Sequence, residues 1–336
     1  MKKSSILLMF LLLITQSIFG QVSKVDSLYE VGICDGNGYC IPRLSGLPRP
    51  KGVELKYKKG RDYKIRTNIT GTSYATPLDG NVLLDAKIRF PVVLKDNFTM
   101  VVGVRYNTEE FNFEQEQSRS NEFYKSLDNK LLKSIGTSVY IIKPFIGNKF
   151  LIGRVNFRLS GDFAQSELDD YFRSSLTVVY GKRASKNVSW GVGLNYSYNF
   201  GRQTLLPVFS YSRKFSDKWS MAAILPVNLG FTYIINDKNV VRIVNRVTGD
   251  SYNVKVKNYT QDNLFLKKSD LLSSVVYERE IHDFLWFSAA VGNQFNINFD
   301  LFEENTFQKR GTPEIDNSLS NTLFFEVGIF LVPPKK

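Results

Sequence analysis

The sequence predicts an all-β chain: an antiparallel up-and-down transmembrane β-barrel of about 14 strands, with 12–16 open. Three observations predict it. Period-two alternation of apolar and polar residues recurs over segments of ten to fourteen residues, whereas ordinary globular strands are about 5–6 long and a tilted membrane strand needs about 9–11. Short polar turns and long links alternate along most of the chain, as periplasmic turns and extracellular loops do. Beyond the leader, apolar runs are too short for a spanning helix, so a membrane location requires a closed barrel, the other form that satisfies every backbone group in lipid.

The chain opens MKKSSILLMFLLLITQSIFGQ, with Lys2 and Lys3 before an apolar run from Ile6 to Ile14 and Gly20 suited to cleavage before Gln21. That is the pattern of a signal peptide over 1–20. No cysteine follows the cleavage point, so a lipid-anchored lipoprotein is not expected. Residues 21–52 form an N-terminal periplasmic segment or partial plug, with Pro42, Pro48 and Pro50 poorly suited to a strand. They contain CDGNGYC, and in an oxidising compartment Cys34 and Cys40 are expected to close a small disulfide loop. The barrel occupies 53–332.

Within it, strand patterns lie near 53–69, 81–94, 97–110, 130–145, 149–163, 173–184, 188–200, 203–215, 218–226, 229–235, 239–247, 268–281, 284–297 and 319–332. In VSWGVGLNYSYNFG, Val188, Trp190, Val192, Leu194, Tyr196, Tyr198 and Phe200 share one face. Ser189, Gly191, Gly193, Asn195, Ser197 and Asn199 share the other. In a barrel the apolar face meets lipid and the small polar face lines the interior. The same phase puts Tyr106, Tyr180, Trp190, Tyr196, Tyr198, Tyr211, Trp219 and Tyr277 outward, several near strand ends, where aromatic girdles belong. Long links are expected at 70–80, 112–129, 164–172, about 248–267 and 298–319. The weakest stretch is 218–258, where Pro226 interrupts a run and 251–258 offers an extra hairpin with 239–247.

The formal net charge of +12 in an exported chain points away from nucleic acid and toward lipopolysaccharide or an anion-preferring interior. By phase, Asp85, Lys87, Arg89, Arg105, Arg154, Arg158, Asp162, Arg183, Glu278, Glu280 and Glu326 point inward. They are candidate lumen-lining charges, either a locally basic pore or ion pairs that close the lumen. The acidic start of the link 108–129, with Glu109, Glu110, Glu114, Glu116 and Glu122, is a surface loop, a cation or partner site, or an inward constriction. The single histidine, His282, sits in a turn, so no multi-histidine metal cluster can form, and no enzyme, cofactor or metal is expected. GVGLN at 191–195 lacks the third glycine and the strand-to-helix setting of a dinucleotide loop.

LPRPKGVELKY, IRFPVVLKDNFTMVVGVRYN, the LP break in AAILPVNLGF, and SSVVYEREIHDFLWFSAAVG together resemble a family of outer-membrane β-barrels of unknown function from Gram-negative bacteria. The resemblance runs over roughly 50–332. It implies a cell outer membrane location and transfers no catalytic or binding residue. The function expected is a porin-like passive channel for small polar or anionic solutes. The alternative is a closed structural barrel acting through its extracellular loops in adhesion, envelope integrity or partner binding. Expected partners are outer-membrane lipid and lipopolysaccharide, the barrel-assembly machinery and small solutes.

Overall fold

The structure, a computed structural model, describes residues 51–69, 72–113, 122–128, 130–164, 168–256, 263–303 and 313–332. The expected leader, the cysteine loop and all but the last two residues of the 21–52 segment lie outside them. The described strands are β1 (Val53–Gly60), β2 (Tyr63–Ile69), β3 (Thr72–Lys95), β4 (Phe98–Phe113), β5 (Leu131–Phe145), β6 (Lys149–Gly161), β7 (Phe172–Ser185) and β8 (Val188–Ser197). They continue with β9 (Thr204–Lys214), β10 (Trp219–Leu225), β11 (Asn228–Asn236), β12 (Asn239–Lys255), β13 (Asn263–His282), β14 (Leu285–Phe302), β15 (Asp316–Leu319) and β16 (Thr322–Leu331). One short helix, α1 (Glu122–Leu127), lies between β4 and β5.

From β2 to β14 each strand pairs antiparallel with the next, β14 pairs with β16, and β1 pairs with both β3 and β16, which closes the sheet into a barrel. β1 and β2 are two lengths of one wall strand, and so are β15 and β16, whose pairing runs on from Gly60↔Phe324 to Ile65↔Leu319. The wall therefore has 14 strands. Both ends of the described chain lie at the rim that carries the short turns, the periplasmic rim by the rule that long loops face outward.

The wall faces are as the alternation requires. Trp190, Val192 and Leu194 are exposed on the outside, while Ser189 and Asn195 are buried inside. Around the wall Leu55, Ile88, Val104, Ile135, Phe157, Leu176, Tyr180, Phe209, Ile243, Val275, Val291 and Val327 continue the outward apolar belt. Inward positions of a barrel pack against each other or against water, so small and polar residues fit there.

Several expectations are corrected. Residues 72–80 are strand, not link, because β3 absorbs Pro77 at its outer end and passes Gly80 (φ 126°) as a bulge between Leu78 and Gly80. Residues 248–255 and 263–267 of the supposed link continue β12 and β13, paired from Thr248↔Asp270 to Lys255↔Asn263, and 251–255 pairs with β13 in place of a separate hairpin with 239–247. β14 runs on to Phe302, and 316–319 belongs to β15. Tyr198 is not at the lipid face: β8 ends at Ser197 and Tyr198 is 3 % exposed, with its hydroxyl accepting from Gln203 Nε2 at 2.7 Å. Pro226 marks the tight turn between β10 and β11, the lowest part of the outer rim.

Candidate functional site: a lidded, charged lumen

Above the low rim at Val227, where Val247 N donates to Val227 O at 2.9 Å, β12 loses its β11 partner. From there the β12–β13 hairpin crosses the barrel mouth to β6, with five strands between them in the wall, and pairs Asn253 with Gly161. Asp250–Val254 and Leu264–Asp270 are all buried, on both faces of the hairpin. A strand buried on both faces loses the alternation that marks a barrel wall. The hairpin is therefore a lid.

Its edge is latched by charge. The Asp162 carboxylate accepts from Lys130 Nζ at 2.6 Å and from Lys255 N at 2.8 Å, and Asp162 N donates to Asn253 O at 3.0 Å. Lys130 Nζ also donates to Lys255 O at 2.8 Å. Arg173 Nε donates to Ser251 O at 2.8 Å, with its guanidinium 5.3 Å from the Phe265 ring. Arg158 pairs with Asp250 at 3.1 Å. The β8–β9 turn supports the lid from outside, where Ser269 Oγ donates to Asn199 O at 2.8 Å.

Beneath the lid lies an apolar cap. Tyr252, Val254, Val256, Leu264 and Leu266 from the lid pack with Phe111, Phe113 and Phe299 from the wall and with Tyr124 and Leu127 from α1. Phe111 and Phe299 meet edge to face at 5.2 Å. Tyr124 donates its hydroxyl to Thr67 Oγ1 at 2.5 Å, and Thr67 Oγ1 donates to Asn317 Oδ1 at 2.6 Å. The described part of the acidic link 108–129 thus folds inward. Glu109 is buried and accepts from Lys268 and from Asn81 Nδ2.

The lumen is charged from near its periplasmic end to its middle. Lys51 meets Glu278 at 2.7 Å and Glu54 at 3.3 Å; Lys87 meets Glu54 at 3.2 Å and Asp85 at 2.6 Å. Arg105 Nε donates to Asp85 at 2.7 Å, and Lys56 pairs with Glu326 at 2.8 Å. Arg242 stands 3.8 Å from Glu278, and Lys58 donates to Gln294 at 2.9 Å. Arg105 faces inward between outward Val104 and Tyr106, yet 45 % of its side chain is accessible. Space remains beside the Arg105 side chain at that level of the lumen. At the periplasmic end Val240, Trp286, Phe330 and Val332 form one inner apolar cluster, and Ile142, Phe150, Ile152, Val179 and Val208 form another.

The structure places the candidate charges as follows. Lys87, Arg105, Arg158, Glu278 and Glu326 are ion-paired on the inner wall. Glu280 is buried beside them. Arg154 Nε donates to Asn156 Oδ1 at 2.9 Å and its guanidinium lies 4.9 Å from the Tyr140 ring; Arg89 faces inward beside it. Arg183 ties the periplasmic turn, donating to the carbonyls of Ser185 and Lys186 at 3.0 and 2.8 Å. Sequence reasoning missed Lys51, Glu54, Lys56, Lys58, Arg242, Asp250, Lys268 and Asp270. The strict alternation of Glu54, Lys56 and Lys58 with Leu55 and Tyr57 is a signal that finds three of them. His282 stands at the periplasmic rim with its ring 5.1 Å from Phe284. Among the described residues no group of three His, Cys, Asp or Glu is arranged for a metal ion. A cleft of 470 Å³ opens on the outer wall, lined by Tyr57, Lys59, Gly60, Arg61, Asp62, Phe325 and Val327.

A closed antiparallel wall with a continuous apolar exterior and a polar, ion-paired interior is the form in which strands cross a bilayer. The chain is an outer-membrane β-barrel. Among solved structures, an outer membrane channel from Pseudomonas putida F1 is 8 % identical, with 89 % of this chain and 99 % of that chain covered at a TM-score of 0.41. The toluene transporter TodX of Pseudomonas putida is 10 % identical over 84 % and 90 %, at 0.36. A FadL homologue of Pseudomonas aeruginosa is 11 % identical over 83 % and 90 %, at 0.33. No curated protein matches the chain. The pattern of one family covers residues 56–331, almost the whole wall, and the chain belongs to that family, described as Domain of unknown function (DUF6268).

Proposed function

We propose that the protein is a lidded passive channel for small polar or anionic solutes. The observation that carries this is a charged, accessible mid-lumen held behind a latched hairpin: a barrel that served only as a wall would have no need of space around Arg105. Arginines outnumber the carboxylates that reach them on the β3–β6 side, which favours anions over cations. The protein is not proposed to be an enzyme. Lipid surrounds the belt, and Lys59 and Arg61 at its upper edge suit the phosphates of lipopolysaccharide. The assembly machinery is the expected folding partner.

Reconstitution of the purified protein in a planar bilayer tests this reading. The expected result is intermittent anion-selective current, its selectivity reversed by Arg154→Glu with Arg158→Glu. Silence over many insertions, with the lid latch both intact and broken, rejects it. The filled apolar cap favours one second reading, a permanently closed barrel acting through its loops, and that same silence supports it.

A further inference from the structure

Four guanidiniums share one stretch of inner wall. Arg89 is on β3, Arg105 on β4, and Arg154 and Arg158 on β6. Arg89, Arg105 and Arg158 are the like charges that bear most on Arg154. Two glycines make the room. Gly103 pairs with Arg89 across β3–β4, and a Cβ there would lie 2.7 Å from Ser138 Oγ and 3.3 Å from Arg89 Cγ. Gly136 sits between Arg105 and Arg158 in the ladder, and a Cβ there would lie 2.5 Å from Arg158 Cβ. The wall between the arginines is thus bare backbone, with Ser138, Tyr140 and Asn156 as the polar groups around it.

Carboxylates do not balance this face. Asp85 holds Arg105 and is shared with Lys87; Asp250 holds Arg158. Glu54 acts on Arg89 but is already held by Lys51 and Lys87. Arg89 and Arg154 have no carboxylate within ion-pair distance among the described residues. Converging cations on one wall repel one another, and an anion in the space between them offsets that repulsion. The surplus is two positive charges. Guanidinium forks match the oxygens of phosphate in pairs.

Resting on the channel reading for its access route, we propose that the Arg89–Arg105–Arg154–Arg158 face is a binding site for a doubly charged oxyanion of the phosphate class, inorganic phosphate or a small phosphate monoester. The site is a way-station in the lumen, where a dianion exchanges water for arginine forks.

Calorimetric titration of the full chain in detergent with inorganic phosphate tests it, at constant ionic strength in chloride. One saturable site is expected, with malonate, a planar-ended dianion, binding more weakly. Arg154→Gln and Arg89→Gln should each weaken phosphate at least tenfold, Arg154→Lys less, and outward Arg213→Gln not at all. Retention of the heat-dependent gel shift verifies that each variant is folded. No saturable heat, or equal affinity in wild type, Arg89→Gln and Arg154→Gln, overturns the proposal. Phosphate binding without current in the bilayer removes the channel reading and leaves the site. Current without phosphate binding does the reverse.

Discussion

Replacing Asp162 by alanine should unlatch the lid. The Asp162 side chain is 2 % exposed, and its carboxylate joins Lys130 on the wall to the Lys255 amide on the lid at 2.6 and 2.8 Å. Hydrogen bonds to a charged group contribute about 1.5–3 kcal/mol each. Removing one member of a buried pair costs about 3–5 kcal/mol. Lys130 keeps its bond to Lys255 O at 2.8 Å, which places the loss at the lower end, about 3 kcal/mol. At about 1.4 kcal/mol per decade, the open-to-closed ratio rises roughly 100-fold. Single-channel recording of Asp162→Ala against wild type reads that ratio directly. Asp162→Asn, which keeps the volume and one acceptor oxygen but loses the charge, should fall between them. A variant with a normal heat shift and an open fraction within about threefold of wild type would refute the latch as the element that holds the lid.

Val192→Arg, at the middle of the outward face of β8, should cost about 2–4 kcal/mol in equilibrium folding into bilayers, and an equal stability would place that face away from lipid. Gly193→Val should abolish the heat-shifted gel band, because a Cβ there runs into Val178 O and lies 2.8 Å from Val179 Cα. Tyr124→Phe removes the hydroxyl bond to Thr67 and should loosen the cap by about 1 kcal/mol, read as a roughly fivefold rise in open fraction; no change would detach α1 from gating.

The wall was legible because its two solvents differ: Val188–Ser197 meets lipid on one face and a polar lumen on the other, so its period-two signal is strong. The lid was not legible for the converse reason. Ser251–Val254 and Leu264–Ser269 are buried on both sides; SYNV alternates and so reads as one more wall hairpin, while LFLKKS carries no alternation that distinguishes a strand from a loop. Residues 72–80 were missed because Pro77 and Gly80 are turn residues by composition, while here one sits on an outer strand end and the other at a bulge. Among the charges, inward phase was readable strand by strand. Which charges meet across the lumen was not, because Arg158 and Asp250 come together through a hairpin whose path no local pattern encodes.

The seam between first and last strands has one further consequence. Lys51 finds Glu278, and Lys58 finds Gln294, across 227 and 236 residues of chain, while Lys56 finds Glu326 on the final strand. A chain truncated before β13 leaves Lys51 with Glu54 alone, while Lys56 loses its carboxylate and Lys58 its amide acceptor on the inner surface. The stitches on either side of that seam therefore act as a completeness test. Only a polypeptide that reaches β16 can close its ring with these partners in place, and a shortened one is marked as defective by its own first strand.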